Sequence, residues 1–208
     1  MLLSSTCVAC QTPGPSLCRR CRFALVAVPP VPAHHGPDGV VIRGALPFDG
    51  IGRQLVVGLK YRNRRAAAAV LAGEVVARAR LPEVDVVTWA PTSGRRAARR
   101  GFDQAELLAR EVAKVLGVPC RRLLYRQHDN GAGASQTTRR RWERLIAPGF
   151  RTHPRCADVR VLVVDDVVTT GATLASAVGS LRRAGIRHVY AVAAAVADRS
   201  LVALRRAG

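Results

Sequence analysis

From residue 40 onward the apolar residues alternate between two spacings. Val40 to Leu46 reads as a strand, Ile51 to Lys60 as a helix, and a second helix runs from about Arg64 to Ala79 with Ala67, Leu71, Val75 and Ala79 on one face. Asp85 to Ala90 is a short β-rich run that stops at Pro91, and the polar, arginine-dense stretch Thr92 to Phe102 predicts a loop. Asp103 followed at the third position by Glu106 is a capping-box-like pair. The helix it opens has Leu108, Val112 and Val115 as its apolar stripe and ends at Gly117. Pro119 to Tyr125 reads as a further strand and Gln127 to Arg141 as a loop. Val159 to Val164 is a nearly unbroken β-branched run, the pattern of a strand buried on both faces of a parallel sheet. Leu174, Val178 and Leu181 mark a helix that stops near Gly185, and His188 to Val196 is the last strand. Strand and helix signals that alternate across residues 84–196 predict an α/β fold, a parallel sheet flanked by helices.

Ahead of this pattern the chain changes character. Residues 1–25 carry four of the six cysteines, residues 26–39 (VAVPPVPAHHGPDG) have the Pro/Gly composition of a linker, and residues 40–208 form the main domain. A length of 208 residues suits one such domain with a small appendage. Cys7-x2-Cys10 and Cys18-x2-Cys21 are paired CxxC turns with Pro13, Gly14 and Pro15 between them to reverse the chain. Four thiolates at that spacing close a structural zinc site with no open position, the alternative being a pair of redox disulfides. Cys120 and Cys156 have no CxxC partner and read as core residues; His34 and His35 read as solvated loop histidines, with metal ligation as the alternative. Trp89 reads as core, while Trp142 among Arg139 to Arg144 fits either base stacking or the apolar face of a short basic helix.

No apolar run reaches the roughly 20 residues of a membrane span, and Met1 to Thr6 shows no secretory pattern, so a cytoplasmic location is expected. The apolar fraction is 49% with 4% aromatic, which points to a core of Ala, Val and Leu. Net charge is +19, and only Lys60 and Lys114 are lysines. Such a field draws polyanions, nucleic acid and sugar phosphates included, although an arginine bias also arises from genome composition.

The most specific chemistry lies in Val161-Leu162-Val163-Val164-Asp165-Asp166-Val167-Val168-Thr169-Thr170-Gly171-Ala172-Thr173-Leu174. A buried strand leads into two carboxylates, a turn of small hydroxylic residues and a helix, at the sheet edge where α/β proteins bind ligands. Gly171 permits positive φ, Thr169, Thr170 and Thr173 offer hydroxyl donors, and the first N–H groups of the helix point outward into an anion cradle. Carboxylates beside such a cradle suit ribose hydroxyls, so the pairing points to a ribose 5-phosphate group. Two other readings stay open at this level: aspartates that merely end a strand, and an acidic magnesium site.

This segment resembles the phosphoribosyl pyrophosphate (PRPP) signature of type I phosphoribosyltransferases. The resemblance implies that fold for the main domain, Asp165 and Asp166 as the ribose-hydroxyl ligands, and the turn of Thr169, Thr170, Gly171, Ala172 and Thr173 as the 5-phosphate site. Pro91 to Gln104 (PTSGRRAARRGFDQ) resembles the family's pyrophosphate loop, with Thr92 and Ser93 at its turn and Arg95, Arg96, Arg99 and Arg100 placed to neutralise a diphosphate as the C–N bond breaks. Gly101-Phe102-Asp103-Gln104, Leu59-Lys60-Tyr61 and, more loosely, Gln136 with Arg139 to Arg141 resemble the ComF family, which also carries an N-terminal zinc element. Lys60 is then expected to reach phosphate, and Mg2+ to accompany PRPP. The family resemblance implies a part in uptake of single-stranded DNA with the DNA-uptake machinery as partner; an active phosphoribosyltransferase of nucleotide salvage is the alternative. No aromatic residue follows the last strand to stack on a base.

Overall fold

The structure is a computed structural model that describes residues 5–92, 101–126, 150–152 and 159–197. Its organising strand is the β-branched run. Val161, Leu162, Val163 and Val164 are all fully buried, because neighbours cover both faces. Strands β1 (His34–His35), β2 (Val41–Pro47), β3 (Val86–Trp89), β4 (Leu124–Arg126), β5 (Phe150–Thr152), β6 (Arg160–Val168) and β7 (His188–Val196) accompany helices α1 (Arg19–Val26), α2 (Gly50–Tyr61), α3 (Ala67–Arg78), α4 (Gln104–Leu116) and α5 (Ala172–Arg183). The main sheet has the order β1-β2-β7-β6-β3, and β4 pairs with β5 in a small antiparallel ribbon. Within the main sheet β2, β7, β6 and β3 run parallel and β1 is antiparallel to β2. The expected parallel α/β sheet is therefore present.

Alternate residues of β6 serve two cores. Leu162 and Val164 join Leu55 and Leu59 of α2, Leu71 of α3 and Leu108 of α4 on one face. Val161 and Val163 join Leu174, Val178 and Leu181 of α5 on the other. The helices that follow β3 and β6 thus leave toward opposite faces of two adjacent strands. That divergence opens a crevice at their carboxyl ends, the place where parallel sheets take ligands.

Several boundaries differ from the sequence reading, each for a local reason. α3 begins at Ala67 rather than near Arg64, because Asn63 adopts φ 50° and breaks the helix. β6 continues through both aspartates to Val168, held by β7 through Val167↔Ala195 and Val168↔Val196. Of Pro119 to Tyr125, only Leu124 and Tyr125 are in a strand, with Cys120 making a single bridge to Val87. Val115 is 52% exposed; Ala105, Leu108, Ala109 and Val112 are the buried stripe of α4. Asp103 caps that helix by accepting from Ala105 N–H, but Glu106 pairs with Arg110 instead of returning to the cap.

The Pro-rich segment is built into the fold. His34 and His35 form the edge strand, opposite Ile42 and Val41. The cysteine segment shares the main core, since Cys7, Val8, Cys21 and Leu25 are buried against the α2–α3 face. Arg64 Nη1 donates to the carbonyls of Val8 and Ala9, and Arg78 donates to those of Leu25 and Val28. No helix among the described residues is long and apolar enough to cross a membrane.

At the opposite edge Arg160 locks the β3–β6 register. Its backbone N–H donates to Asp85 Oδ2 at 2.8 Å, its Nη2 lies 2.7 Å from Asp85 Oδ1, and Asp85 N–H donates back to its carbonyl. The Arg160 hydrogen bonds hold the Asp85 carboxyl down at about 2. A depressed folded-state value means that this contribution is complete above the unfolded carboxyl range and fades as the pH falls toward about 2. Asp85→Asn is expected to lower the melting temperature at pH 6 and to converge with the parent as the pH approaches about 2 in a melting series.

Candidate functional site

The turn after β6 is shaped by one residue without a side chain. Gly171 has φ 76°, and a Cβ there would stand 2.9 Å from Gly36 Cα and 2.8 Å from Ile42 Cδ1. Backbone conformation and space both demand glycine. With Gly171 seated on the β1 segment, the backbone of residues 169–173 is turned so that α5 starts without a side-chain cap. Its first N–H groups have no intrahelical acceptor and carry the positive end of the helix dipole. Asp165, Val167, Val168, Thr169, Thr170, Gly171, Ala172, Thr173 and Leu174 line a concavity of about 220 Å³, part of it open to solvent.

The two aspartates differ. Asp166 is buried, its Oδ1 lies 2.8 Å from Lys60 Nζ, and its Oδ2 is buried with no partner among the described residues. Asp165 accepts from the Asp166 N–H at 2.8 Å and lines the concavity. Burial pushes the Asp165 carboxyl well above the ordinary carboxylate range, and the negative charges of Asp166 and, less strongly, Asp103 add to this. Lys60 belongs to the last turn of α2, so its charge approaches the sheet edge from the face that Asp166 occupies. Its Nζ pairs with Asp166 Oδ1.

Thr92 lies two residues beyond Ala90, whose N–H donates to the Val164 carbonyl, so it stands at the same sheet edge as the aspartates. Ser93, Arg95, Arg96, Arg99 and Arg100 lie outside the described residues, as do Cys156, Trp142 and the Gln136 to Arg141 segment. The sequence reading had no role for Asp103 and Gln104 beyond helix capping and family resemblance, yet both bond to Thr92. A polar pair that follows Gly101-Phe102 at a helix start was their available signal.

The cysteines form a second site. The Sγ atoms of Cys7, Cys10, Cys18 and Cys21 all lie within 4.8 Å of one another, and Cys10 Sγ is 3.7 Å from Cys18 Sγ. Tetrahedral coordination with metal–sulfur bonds of about 2.3 Å spaces sulfurs by roughly 3.8 Å, so the cluster fits a metal-ligand set. The Cys18 N–H donates to Cys7 Sγ, the kind of support a thiolate ligand receives from its outer shell.

This fold and crevice define a type I phosphoribosyltransferase-like domain. Comparison with known proteins agrees. The model of the phosphoribosyl transferase domain family matches residues 102–205. The DNA utilization protein YhgH of Salmonella typhi is 33% identical over 142 residues, 65% of this chain and 63% of that protein. The YhgH protein of Salmonella typhimurium gives the same identity and coverage. The chain therefore spans 63% of the length of these curated relatives. Solved structures that align include orotate phosphoribosyltransferase from Aeropyrum pernix (19% identity, 91% of this chain and 98% of that chain, TM-score 0.39). Another is the glutamine PRPP amidotransferase from B. subtilis (21% identity, 74% of this chain and 32% of that chain, TM-score 0.44). The chain belongs to the phosphoribosyl transferase domain family.

Lys60→Met would leave a buried carboxylate without its counter-charge. A loss of about 3 kcal/mol in urea-denaturation stability is expected, with much of it recovered by adding Asp166→Leu. Equal losses in the single and double variants would show that the pair contributes nothing specific.

Proposed function

We propose that this chain binds PRPP or a related ribose 5-phosphate and, as a ComF-type protein, assists the handling of single-stranded DNA during uptake. One observation carries the ligand reading: Asp166 Oδ2, at the same sheet edge as the turn of residues 169–173, is buried with no partner among the described residues. A buried carboxylate oxygen without a donor is costly, and a sugar hydroxyl supplies the missing proton. The phosphate of the same sugar is held by the turn of residues 169–173, with Thr169, Thr170 and Thr173 as hydroxyl donors. Lys60 acts on this ligand through Asp166, holding that carboxylate in place. Asp165 and Asp166 bring hard oxygen donors to this edge, the type that magnesium accepts, and the ion would neutralise the diphosphate of PRPP. Ser93, Arg95, Arg99 and Arg100 complete the proposed diphosphate end.

The DNA reading is supported by the net charge of +19 and by the similarity to proteins named for DNA utilization. The cysteine cluster holds zinc in this proposal and serves as a structural brace of the α2–α3 face, since four cysteine ligands leave no open position.

Titration of the zinc-loaded protein with PRPP and magnesium is expected to show saturable binding that Asp165→Asn/Asp166→Asn abolishes. The same variant is expected to keep its affinity for single-stranded DNA, with a steep salt dependence. No DNA affinity at low salt would remove the DNA role, and pyrophosphate release with a nucleobase would mark an active transferase. Metal analysis is expected to give about one zinc per chain. Chelation should lower the melting temperature of the whole domain in one transition, because the cluster shares the main core.

A further inference from the structure

Thr92 is gripped from two sides by the residues that open α4. Its N–H donates to Asp103 Oδ2 at 2.9 Å, while Gln104 Nε2 donates to its Oγ1 at 3.0 Å. Asp103 thereby uses both oxygens, because Oδ1 accepts from Ala105 N–H at 3.0 Å to cap the helix. The neighbours hold this arrangement in place. Gly101 takes φ 76°, which lets the chain turn into the helix, and Phe102 packs on the core with the Arg65 guanidinium 4.9 Å above its ring.

The direction of the Gln104 bond matters. Gln104 is only 5% exposed, and the amide donates, so the Thr92 hydroxyl accepts and keeps its own proton for another acceptor. Thr92 itself is half-buried at the ligand-facing sheet edge, next to Asp165 and Asp166. Asp103 already spends both oxygens on backbone N–H groups, so the Thr92 proton is left for an acceptor that enters the crevice, and a diphosphate oxygen is such an acceptor. Gln104 Oε1 is buried with no partner among the described residues.

We propose that Asp103 and Gln104 are positioning residues of a diphosphate subsite: Asp103 fixes the Thr92 backbone, and Gln104 forces the Thr92 hydroxyl to act as a donor toward a diphosphate oxygen. The proposal rests on the reading of the crevice as a PRPP site. It assigns a physical task to each residue of the Gly101-Phe102-Asp103-Gln104 sequence. It also explains why an amide stands at position 104: a carboxylate of the same shape would accept the Thr92 proton and reverse the hydroxyl.

The test compares two ligands that differ in the diphosphate, PRPP and ribose 5-phosphate, on the full zinc-loaded chain with magnesium present. Gln104→Glu is expected to weaken PRPP binding by about tenfold while ribose 5-phosphate stays within about twofold. Thr92→Val, on the half-buried side of the same bond, is expected to give the same split, and Thr92→Ser to retain wild-type affinity for both. The double variant Thr92→Val/Gln104→Glu is expected to be no worse than the weaker single, because both remove one donor. Should Gln104→Glu fail to fold, Thr92→Val alone decides. Equal weakening of both ligands, or no weakening of PRPP, overturns the positioning role while leaving the ribose-phosphate reading intact. A wild-type chain that binds neither ligand overturns both.

Discussion

A carboxylate buried at the end of a parallel strand is the constraint around which this molecule is arranged. Asp166 is 3% exposed, and its charge is tolerable there because Lys60 Nζ stands 2.8 Å away. The lysine arrives on α2, so α2 must be held in register with the sheet edge. Its other supports come from the N-terminal segment: Val8 and Ala9 accept from Arg64, just past the helix end, and Cys7, Val8 and Leu25 fill the same core as Leu55 and Leu59. The cysteine cluster is therefore mechanically continuous with the crevice. Whatever holds those four thiolates together also holds the lysine that faces Asp166.

The crevice itself follows from topology. β3 and β6 are neighbours, and α4 and α5 depart from them toward opposite faces. The two loops separate at the carboxyl edge, one leading to Thr92 and the other to the turn at residues 169–173. Between them lie Asp165 and Asp166. A ligand with two anionic ends joined by a hydroxylic ring matches that order of groups. In the proposed site the N–H groups that open α5 receive the anion, with Ala172 N–H also directed at Thr170 Oγ1; Asp166 Oδ2, without a donor among the described residues, receives a hydroxyl; and the α4 entry presents a hydroxyl on the far side.

Much of this was legible in the sequence. Periodicity located β2, α2, β6, α5 and β7, and the order strand, Asp165-Asp166, Thr169-Thr170-Gly171-Ala172-Thr173, helix located the turn that opens α5 before any coordinates. The paired CxxC turns likewise specified a four-thiolate cluster. What stayed hidden depended on contacts between distant segments. Lys60 reads as a phosphate ligand, and its 2.8 Å approach to Asp166 emerges only once α2 is packed on the sheet. Residues 34–35 have linker composition, and only their pairing with Val41 and Ile42 makes them an edge strand. Val115 fits a helical stripe by spacing, yet α4 turns it outward because Ala109 and Val112 suffice to fill the groove against the sheet. Glu106 sits at capping-box spacing, but Arg110 offers a stronger partner than the backbone. In each case local pattern set the candidates, and a tertiary partner chose among them.

The central claim is that the unpartnered Asp166 oxygen and the glycine turn form one ribose-phosphate site. A crystal structure of the zinc-loaded chain with ribose 5-phosphate tests it most directly. The account predicts the phosphate against the backbone N–H groups of residues 170–173 and a ribose hydroxyl donating to Asp166 Oδ2, with the Lys60 pair intact. A sugar phosphate bound elsewhere, or an Asp166 Oδ2 satisfied by a protein group while the turn stays empty, would contradict it.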